Sequence, residues 1–189
     1  MTFFPERPVS GPAVILIGPP GSGKTTVGPL LAALLGVDFA ETDDVIALRA
    51  GKPVADVFIE DGEKVFRELE RSAVTEVIGT HSGVVALGGG SVLSEGSRKA
   101  LAGRPVVYLA AGFPAVARRS GLAGPHPPIP GNPRGRLRQM LEERRAVYED
   151  LAWLTVPTDD LEPPQIAEQI AAAIAEADAG PGPGPRANP

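Results

Sequence analysis

Short apolar runs alternate with longer stretches of helical spacing along most of this chain. The runs are AVILI, VDFA, GVVAL, PVVYL and LTV, at residues 13–17, 37–40, 83–87, 105–109 and 154–156. Short runs that are rich in branched side chains predict buried strands, and the stretches between them predict helices. Strands that alternate with helices form a parallel sheet covered on both faces. The pattern therefore predicts one α/β domain.

The clearest helical pattern lies between the second and third predicted strands. Four apolar residues recur there at four-residue intervals, namely Val65, Leu69, Ala73 and Val77. This spacing predicts an amphipathic helix whose apolar face packs on the sheet. Its polar face carries Arg67, Glu70 and Arg71.

Three segments lie outside the alternating pattern. We assign residues 1–12 to an N-terminal extension and residues 13–178 to the domain. Residues 179–189 form a Pro/Gly tail with nothing to bury, and we expect it to be unstructured. Within the domain, the proline- and glycine-rich stretch SGLAGPHPPIPGNP cannot continue a helix or a strand. Loops of this kind inside compact domains are often functional, so we interpret residues 120–134 as a lid.

Composition narrows the class of partner. The net charge is −5 and the basic residues are scattered, which argues against nucleic acid and against an anionic membrane surface. The chain has no cysteine, which excludes disulfides and thiolate catalysis. No apolar run approaches the ~20 residues that span a bilayer, and the start of the chain is not that of a secretory leader. We expect a cytoplasmic monomer that acts on a small molecule.

The segment GPPGSGKTT, residues 18–26, matches the phosphate-binding P-loop between a strand and a helix. Its glycines let backbone N–H groups face phosphates, Lys24 supplies a positive charge, and Thr25 offers a hydroxyl to Mg²⁺. A chance glycine turn is the alternative, and the flanking strand and helix disfavour it. The pattern indicates ATP or GTP with magnesium. The predicted nucleotide-binding residues are Gly18, Pro20, Gly21, Ser22, Gly23, Lys24, Thr25 and Thr26.

Carboxylates follow the second predicted strand in the segment ETDDVI. Glu41, Asp43 and Asp44 lie where the carboxyl ends of parallel strands border the ligand crevice. They can hold Mg²⁺, directly or through water, or accept a proton from an attacking hydroxyl. Alternatively, Asp43 or Asp44 caps the following helix.

Three glycines follow the third predicted strand, at positions 88–90 of the segment GGGS. They suggest that the backbone approaches a ligand with no side chain between them. A plain flexible turn is the alternative.

Together these segments resemble the shikimate kinase family. The matching pieces are GPPGSGKTTVG, ETDDVI, ADVFIEDGEKVFRELE, VVALGGGSV and EERRAVY, which occur in the family's order across about residues 13–175. The resemblance implies a five-stranded parallel sheet in the order 2-3-1-4-5, with a lid and a helical shikimate-binding region. It also implies transfer of the γ-phosphoryl group of ATP to the 3-hydroxyl of shikimate, a step of aromatic amino acid biosynthesis.

The resemblance assigns roles to individual positions. Asp43 would bind the ring hydroxyls and act as the base, with Lys24 and Arg144 as further catalytic residues. Arg67, Arg144 and the backbone of Gly88, Gly89 and Gly90 would hold the acceptor carboxylate. Glu70 would steady Arg67, and Arg119 would cover the adenine. Without the resemblance, the pattern leaves open that Arg67 pairs with Glu63 or Glu70 on the surface and that Arg144 is merely solvated.

Two positions depart from the family pattern. Glu41 stands where the family has aspartate, so we expect it to hold magnesium, directly or through water, on a longer side chain. His126 stands in the lid where the family has arginine, and a neutral imidazole does not replace a permanent guanidinium charge. Arg134 and Arg136 are the nearest basic residues that could compensate.

Two other functions compete with this interpretation. One is a related kinase that acts on another polyhydroxylated ring acid or a cyclitol, which the altered lid favours. The other is a weakly catalytic nucleotide-binding module that acts through a partner protein. The aspartate at the acceptor position argues against the second, since pure binding does not need it.

Overall fold

The computed structural model describes residues 11–119 and 132–179. Within these ranges the strands are β1 (Val14–Ile17), β2 (Phe39–Glu41), β3 (Val84–Ala86), β4 (Val106–Ala110) and β5 (Leu154–Pro157). They form one parallel sheet in the order β2-β3-β1-β4-β5. The predicted fold class and strand order are confirmed, and strand ends shift by no more than two residues.

Helices connect the strands. They are α1 (Lys24–Leu35), α2 (Thr42–Ala50), α3 (Val54–Asp56), α4 (Gly62–Thr80), α5 (Glu95–Leu101), α6 (Phe113–Arg119), α7 (Pro133–Leu151) and α8 (Pro163–Asp178). A π-helical segment, Val57–Asp61, joins α3 to α4, and a short 3₁₀ turn, Ser91–Leu93, follows β3.

The sheet divides the hydrophobic core into two layers. Alternate residues of a strand face opposite sides, so Val14 and Leu16 of β1 pack with α1 and α8, whereas Ile15 and Ile17 pack with α4, α5 and α7. Every residue of β1 is buried because helices cover both faces. This burial explains why the strand is a continuous apolar run rather than an alternating one.

The predicted amphipathic helix is α4, but its buried face differs from the prediction at the first turn. Val65 is 40% exposed, while Ala73 and Val77 are buried as expected. The first turns of α4 pack beside the π-helical segment, and only the later turns lie over the sheet.

The parallel register brings three loops to one edge of the sheet. Leu16 of β1 and Glu41 of β2 both pair with Ala86 of β3. The loops that follow β1, β2 and β3 therefore leave the sheet side by side. These loops carry the predicted phosphate loop, the carboxylates of the segment ETDDVI and the three glycines. The structure therefore brings the three predicted parts of the site together.

Most of the predicted lid, with His126, and nearly all of the N-terminal extension and the tail lie outside the described residues. Residues 13–178 as a single domain, and the roles assigned to the lid and tail, stay predictions.

Candidate active site

The loop between β1 and α1 is closed around the side chain of Lys24. This side chain is buried, and its Nζ donates hydrogen bonds to the carbonyl oxygens of Gly18 and Pro19 at 2.9 and 3.0 Å. Gly21 and Gly23 have φ angles of 77° and 101°, in the left-handed region that disfavours other residues. The glycines thus let the chain curl into a loop with the ammonium group at its centre.

Two effects act on the Lys24 ammonium group. Burial lowers its pKa from 10.5 to about 8, while the nearby carboxylates of Asp43 and Glu41 act in the opposite direction. The group is therefore cationic at neutral pH. Because it is poorly solvated, its attraction for an anionic ligand is little screened by water.

Thr25, the first-turn neighbour of Lys24, contacts the end of β2. Its hydroxyl donates a 2.9 Å hydrogen bond to a carboxylate oxygen of Glu41. Both side chains line the same cavity as Lys24. A hydroxyl and a carboxylate are oxygen ligands of the type that Mg²⁺ prefers, so this pair fits the predicted magnesium site.

Asp43 lies in the first turn of α2, and Glu41 occupies the N-cap position without a side-chain capping hydrogen bond. Neither Asp43 nor Asp44 is therefore the N-cap residue. Burial raises the pKa of Asp43, the Glu41 carboxylate raises it further, and Lys24 lowers it. A carboxylate whose proton affinity is increased in this way is better suited to accept a proton.

Thr42 fixes α2 against the loop that follows β3. Its buried hydroxyl accepts a 2.9 Å hydrogen bond from the backbone N–H of Gly88. The carboxylate of the next residue, Asp43, consequently lies directly over Gly88: a Cβ atom there would come 2.7 Å from Asp43 Oδ1. The Asp43 carboxylate and the glycine loop therefore form one unit.

The three consecutive glycines are explained by close packing. A Cβ atom at Gly89 would lie 2.8 Å from Cδ of Pro20, and one at Gly90 would lie 2.5 Å from Nη1 of Arg67. The φ angles of these glycines are not in the left-handed region. A side chain here would force apart the phosphate loop, Asp43 or Arg67.

Arg67 projects from α4 into this packing and is held by an acidic partner. Its Nη1 donates a 2.8 Å hydrogen bond to Oε2 of Glu70, which is almost fully buried. The other oxygen of Glu70 accepts a 3.1 Å hydrogen bond from the hydroxyl of Ser91. Arg67 also pairs with Glu63 at 3.5 Å. The ion pairs expected for a surface arginine are present, yet the pair with Glu70 orients the guanidinium beside Gly90.

Aromatic side chains from the π-helical segment and α4 lie beside Arg67. The rings of Phe58 and Phe66 meet edge to face with centroids 5.7 Å apart, and the Arg67 guanidinium lies 5.1 Å from the Phe66 centroid. The charged fork of Arg67 is thus bordered by apolar surface.

Helix α7 reaches the same glycine loop from another direction. Arg144 Nη1 and the hydroxyl of Tyr148 both donate to the carbonyl oxygen of Gly89, at 3.1 and 2.6 Å. Arg144 is half-buried and therefore not the freely solvated side chain that its charged neighbours suggest. Arg67 and Arg144 approach neighbouring peptide units of one loop.

Arg119 ends α6 and bridges the phosphate loop to the segment after β5. It donates to the carbonyl oxygen of Gly21 at 3.1 Å and to that of Thr158 at 2.5 Å. With Asp159, Asp160, Pro163 and other residues it borders a cavity of about 440 Å³. This cavity lies next to the phosphate loop, and the role of Arg119 over the adenine stays a prediction.

One cavity of about 370 Å³ connects the predicted donor and acceptor residues. The lining residues are Pro20, Gly21, Gly23, Lys24, Thr25, Thr26, Glu41, Asp43, Gly88, Gly89 and Arg119. Arg67 and Gly90 line a neighbouring cavity of about 540 Å³. Arg134 and Arg136 are not among the lining residues of the first cavity, and the guanidinium of Arg134 lies 5.9 Å from the Phe113 ring centroid. Compensation for His126 by these arginines stays a prediction.

Sequence reasoning missed several side chains that hold the site together, among them Thr42, Ser91 and Tyr148. For Tyr148 a signal existed, since it follows Arg144 by four residues and therefore lies on the same face of a helix. Thr42 and Ser91 are adjacent to predicted site residues, but nothing in their spacing indicates a contact.

Over the described ranges, no helix combines the length and apolar character needed to cross a membrane.

Comparisons with known proteins agree with this geometry. A family model described as shikimate kinase matches residues 20–175. The shikimate kinase of Thermobifida fusca is 53% identical over 162 residues, which cover 86% of this chain and 94% of the relative. The shikimate kinase of Salinispora arenicola is 49% identical, and the match covers 87% of this chain and 98% of the relative. The solved shikimate kinase from Acinetobacter baumannii in complex with shikimate superposes with a TM-score of 0.79 at 30% identity, covering 89% of this chain and 94% of the other.

Proposed function

Since this chain belongs to the shikimate kinase family, we propose that the residues around its two neighbouring cavities transfer the γ-phosphoryl group of ATP to the 3-hydroxyl of shikimate. The chain is an ATP-dependent kinase with an alcohol acceptor. The observation that carries the residue assignment is the shared cavity, in which phosphate-loop Lys24 and Thr25 face Asp43 and Gly89. The predicted donor and acceptor groups therefore face a single cavity.

On the donor side, the phosphate loop supplies the positive charge. Lys24 exchanges the carbonyl oxygens of Gly18 and Pro19 for phosphate oxygens, while the amino end of α1 contributes its backbone N–H groups and helix dipole. Phosphoryl transfer needs mainly positioning and charge stabilisation, because negative charge spreads over the transferring oxygens. A poorly solvated ammonium group is suited to that role.

Thr25 and Glu41 would hold Mg²⁺. In the described part of the chain, no group of three or more acidic or histidine residues could hold a metal ion alone. Phosphate oxygens and water would therefore complete the coordination, which is common for magnesium in kinases. The ion would neutralise charge that develops on the phosphates.

On the acceptor side, two guanidinium groups and the glycine loop bind a carboxylate. Arg67, oriented by Glu70, and Arg144 approach Gly90 and Gly89 respectively, and two such forks fix a small rigid ring. Asp43 accepts the proton of the attacking hydroxyl. The hydroxyl oxygen bonds to the γ-phosphorus as the bond to the bridging oxygen breaks, and ADP leaves.

We expect purified protein to release ADP from ATP and Mg²⁺ at least about 100-fold faster with shikimate than with a cyclitol or a ring acid that lacks the 3-hydroxyl. Sites built to bond a substrate hydroxyl reject analogues without it by at least that factor, and a cyclitol lacks the carboxylate that the two guanidinium groups would bind. A coupled ADP-release assay measures the rates, and chelation of Mg²⁺ should abolish them. Faster turnover of another acceptor would assign a different substrate, and no turnover with any acceptor would refute the proposed reaction.

We expect Arg67→Ala and Arg144→Ala each to raise KM for shikimate about ten- to a hundredfold, with KM for ATP changing much less. Hydrogen bonds to charged groups contribute about 1.5 to 3 kcal/mol, which corresponds to this range. Arg145→Ala is the matched control, because Arg145 is adjacent to Arg144 but is exposed and pairs with Glu149. Steady-state kinetics with each substrate varied in turn measures the effects. Parental KM values for shikimate in both variants would rule out the carboxylate clamp.

A further inference from the structure

We propose that Tyr148 is a positioning residue for the acceptor loop: its hydroxyl holds the Gly89 carbonyl and so keeps the Gly90 N–H directed away from α7 when Arg144 turns to the acceptor. This inference rests on the proposed function. The spacing of Tyr148 and Arg144 places both on one face of α7, and the hydrogen bond to Gly89 adds a specific task for the tyrosine hydroxyl.

The direction of one peptide unit is the first step. The Gly89 carbonyl points to α7, because it accepts hydrogen bonds from Tyr148 and Arg144. In a planar trans peptide the carbonyl and the following N–H point in opposite directions. The N–H of Gly90 therefore points away from α7. Ser91 N–H closes a turn on the Gly88 carbonyl at 3.0 Å, and within this turn the two hydrogen bonds from α7 set the direction of the Gly89 carbonyl.

Of the two hydrogen bonds to this carbonyl, the one from Arg144 breaks when the acceptor binds and the one from Tyr148 remains. Arg144 occupies the Gly89 oxygen through Nη1 at 3.1 Å, and it must redirect that charge to bind an acceptor carboxylate. Tyr148, which is buried, forms the shorter bond at 2.6 Å and has no other assigned role. It keeps this partly buried carbonyl hydrogen-bonded while Arg144 leaves, which avoids the cost of an unpaired acceptor.

The Tyr148 hydroxyl is held rigidly. Its ring is 1% exposed and stacks on the ring of Tyr108 in β4, with centroids 5.0 Å apart and planes 22° from parallel. Burial raises the pKa of Tyr148 to about 12. The hydroxyl therefore stays a protonated donor over the working pH range, at a position set by the sheet itself.

The test compares Tyr148→Phe with Tyr108→Phe, which removes a hydroxyl from the other ring of the same stack. We expect Tyr148→Phe to raise both KM and the calorimetric Kd for shikimate about five- to fiftyfold, because the partly buried Gly89 carbonyl loses a hydrogen bond when Arg144 leaves it. KM for ATP should change less than about twofold, and the effect should be constant between about pH 6 and 9. Tyr108→Phe should leave KM for shikimate at the parental value.

An amide measurement on the parent protein provides a second, independent result. In ¹⁵N NMR, adding shikimate should shift the Gly90 amide more than the Gly88 amide, which is already bonded to Thr42. In Tyr148→Phe that difference should shrink. Equal shifts in the parent would overturn the inference.

Other outcomes separate this inference from the function on which it rests. No turnover of shikimate by the parent protein overturns both. Normal turnover by the parent with unchanged KM and Kd in Tyr148→Phe overturns the inference alone. A variant that fails to fold, or loses affinity for ATP and shikimate equally, shows that the hydroxyl is only a structural element, and the inference is then wrong.

Discussion

Lys24→Ala is expected to lower kcat by at least about a thousandfold and to leave the fold intact. A cationic side chain that acts on a transferring phosphoryl group, such as an arginine finger, contributes rate factors of ~10³ to 10⁵, and Lys24 carries the full charge of the phosphate loop. The fold should survive because β1 and α1 bury apolar side chains independently of the ammonium group. Removing a buried charge also removes its desolvation cost.

Single-turnover and steady-state ADP release measure the rate, and circular dichroism measures the melting temperature. Lys99→Ala is the control, because Lys99 is 76% exposed on α5 and pairs with Glu95. The donor assignment fails if Lys24→Ala turns over at the rate of the Lys99 variant.

Asp43→Asn is expected to lower kcat by about 10²- to 10⁴-fold, the usual contribution of a positioned acid or base. The amide has nearly the same size as the carboxylate but cannot accept the proton of the attacking hydroxyl. KM for ATP should change little, because the phosphates are held by the loop after β1.

Asp44→Asn provides a closely matched control. Asp44 is the next residue of α2, is exposed and does not line the cavity of Lys24 and Asp43. Asp44→Asn therefore removes the same charge from the same helical turn without changing the cavity lining. Comparable losses of kcat in both variants would show that only the local negative charge matters, and unchanged kcat in Asp43→Asn would exclude a role as base.

The fold was accessible from the sequence because its central strands β3, β1 and β4 are short apolar runs that are almost entirely buried. In β1 and β4 nearly every residue is buried, so each run stands out from the polar helices around it. The phosphate loop was accessible because its chemistry depends on residues adjacent in the chain. Strand order is a long-range property, and here it followed from a family resemblance rather than from the pattern.

The contacts that hold the acceptor side together could not be predicted from the pattern of residues along the chain. Gly88 meets Thr42 across 46 residues, and Gly89 meets Tyr148 across 59. Neither pair has a periodic signal, because each depends on how the sheet brings separate loops together. The glycines suggested close approach to a ligand, and the structure shows that they also make room for Asp43, Pro20 and Arg67.

The separation of the donor and acceptor residues along the chain has an evolutionary consequence. The groups assigned to ATP before residue 27 follow β1, whereas Asp43, Arg67 and the glycine loop follow β2 and β3. A gene can accumulate changes in the segment from α2 to α4 and alter the accepted alcohol while the nucleotide machinery is inherited unchanged. Gly89, which packs against Pro20, is where such divergence is most constrained, since a side chain there would disturb both halves at once.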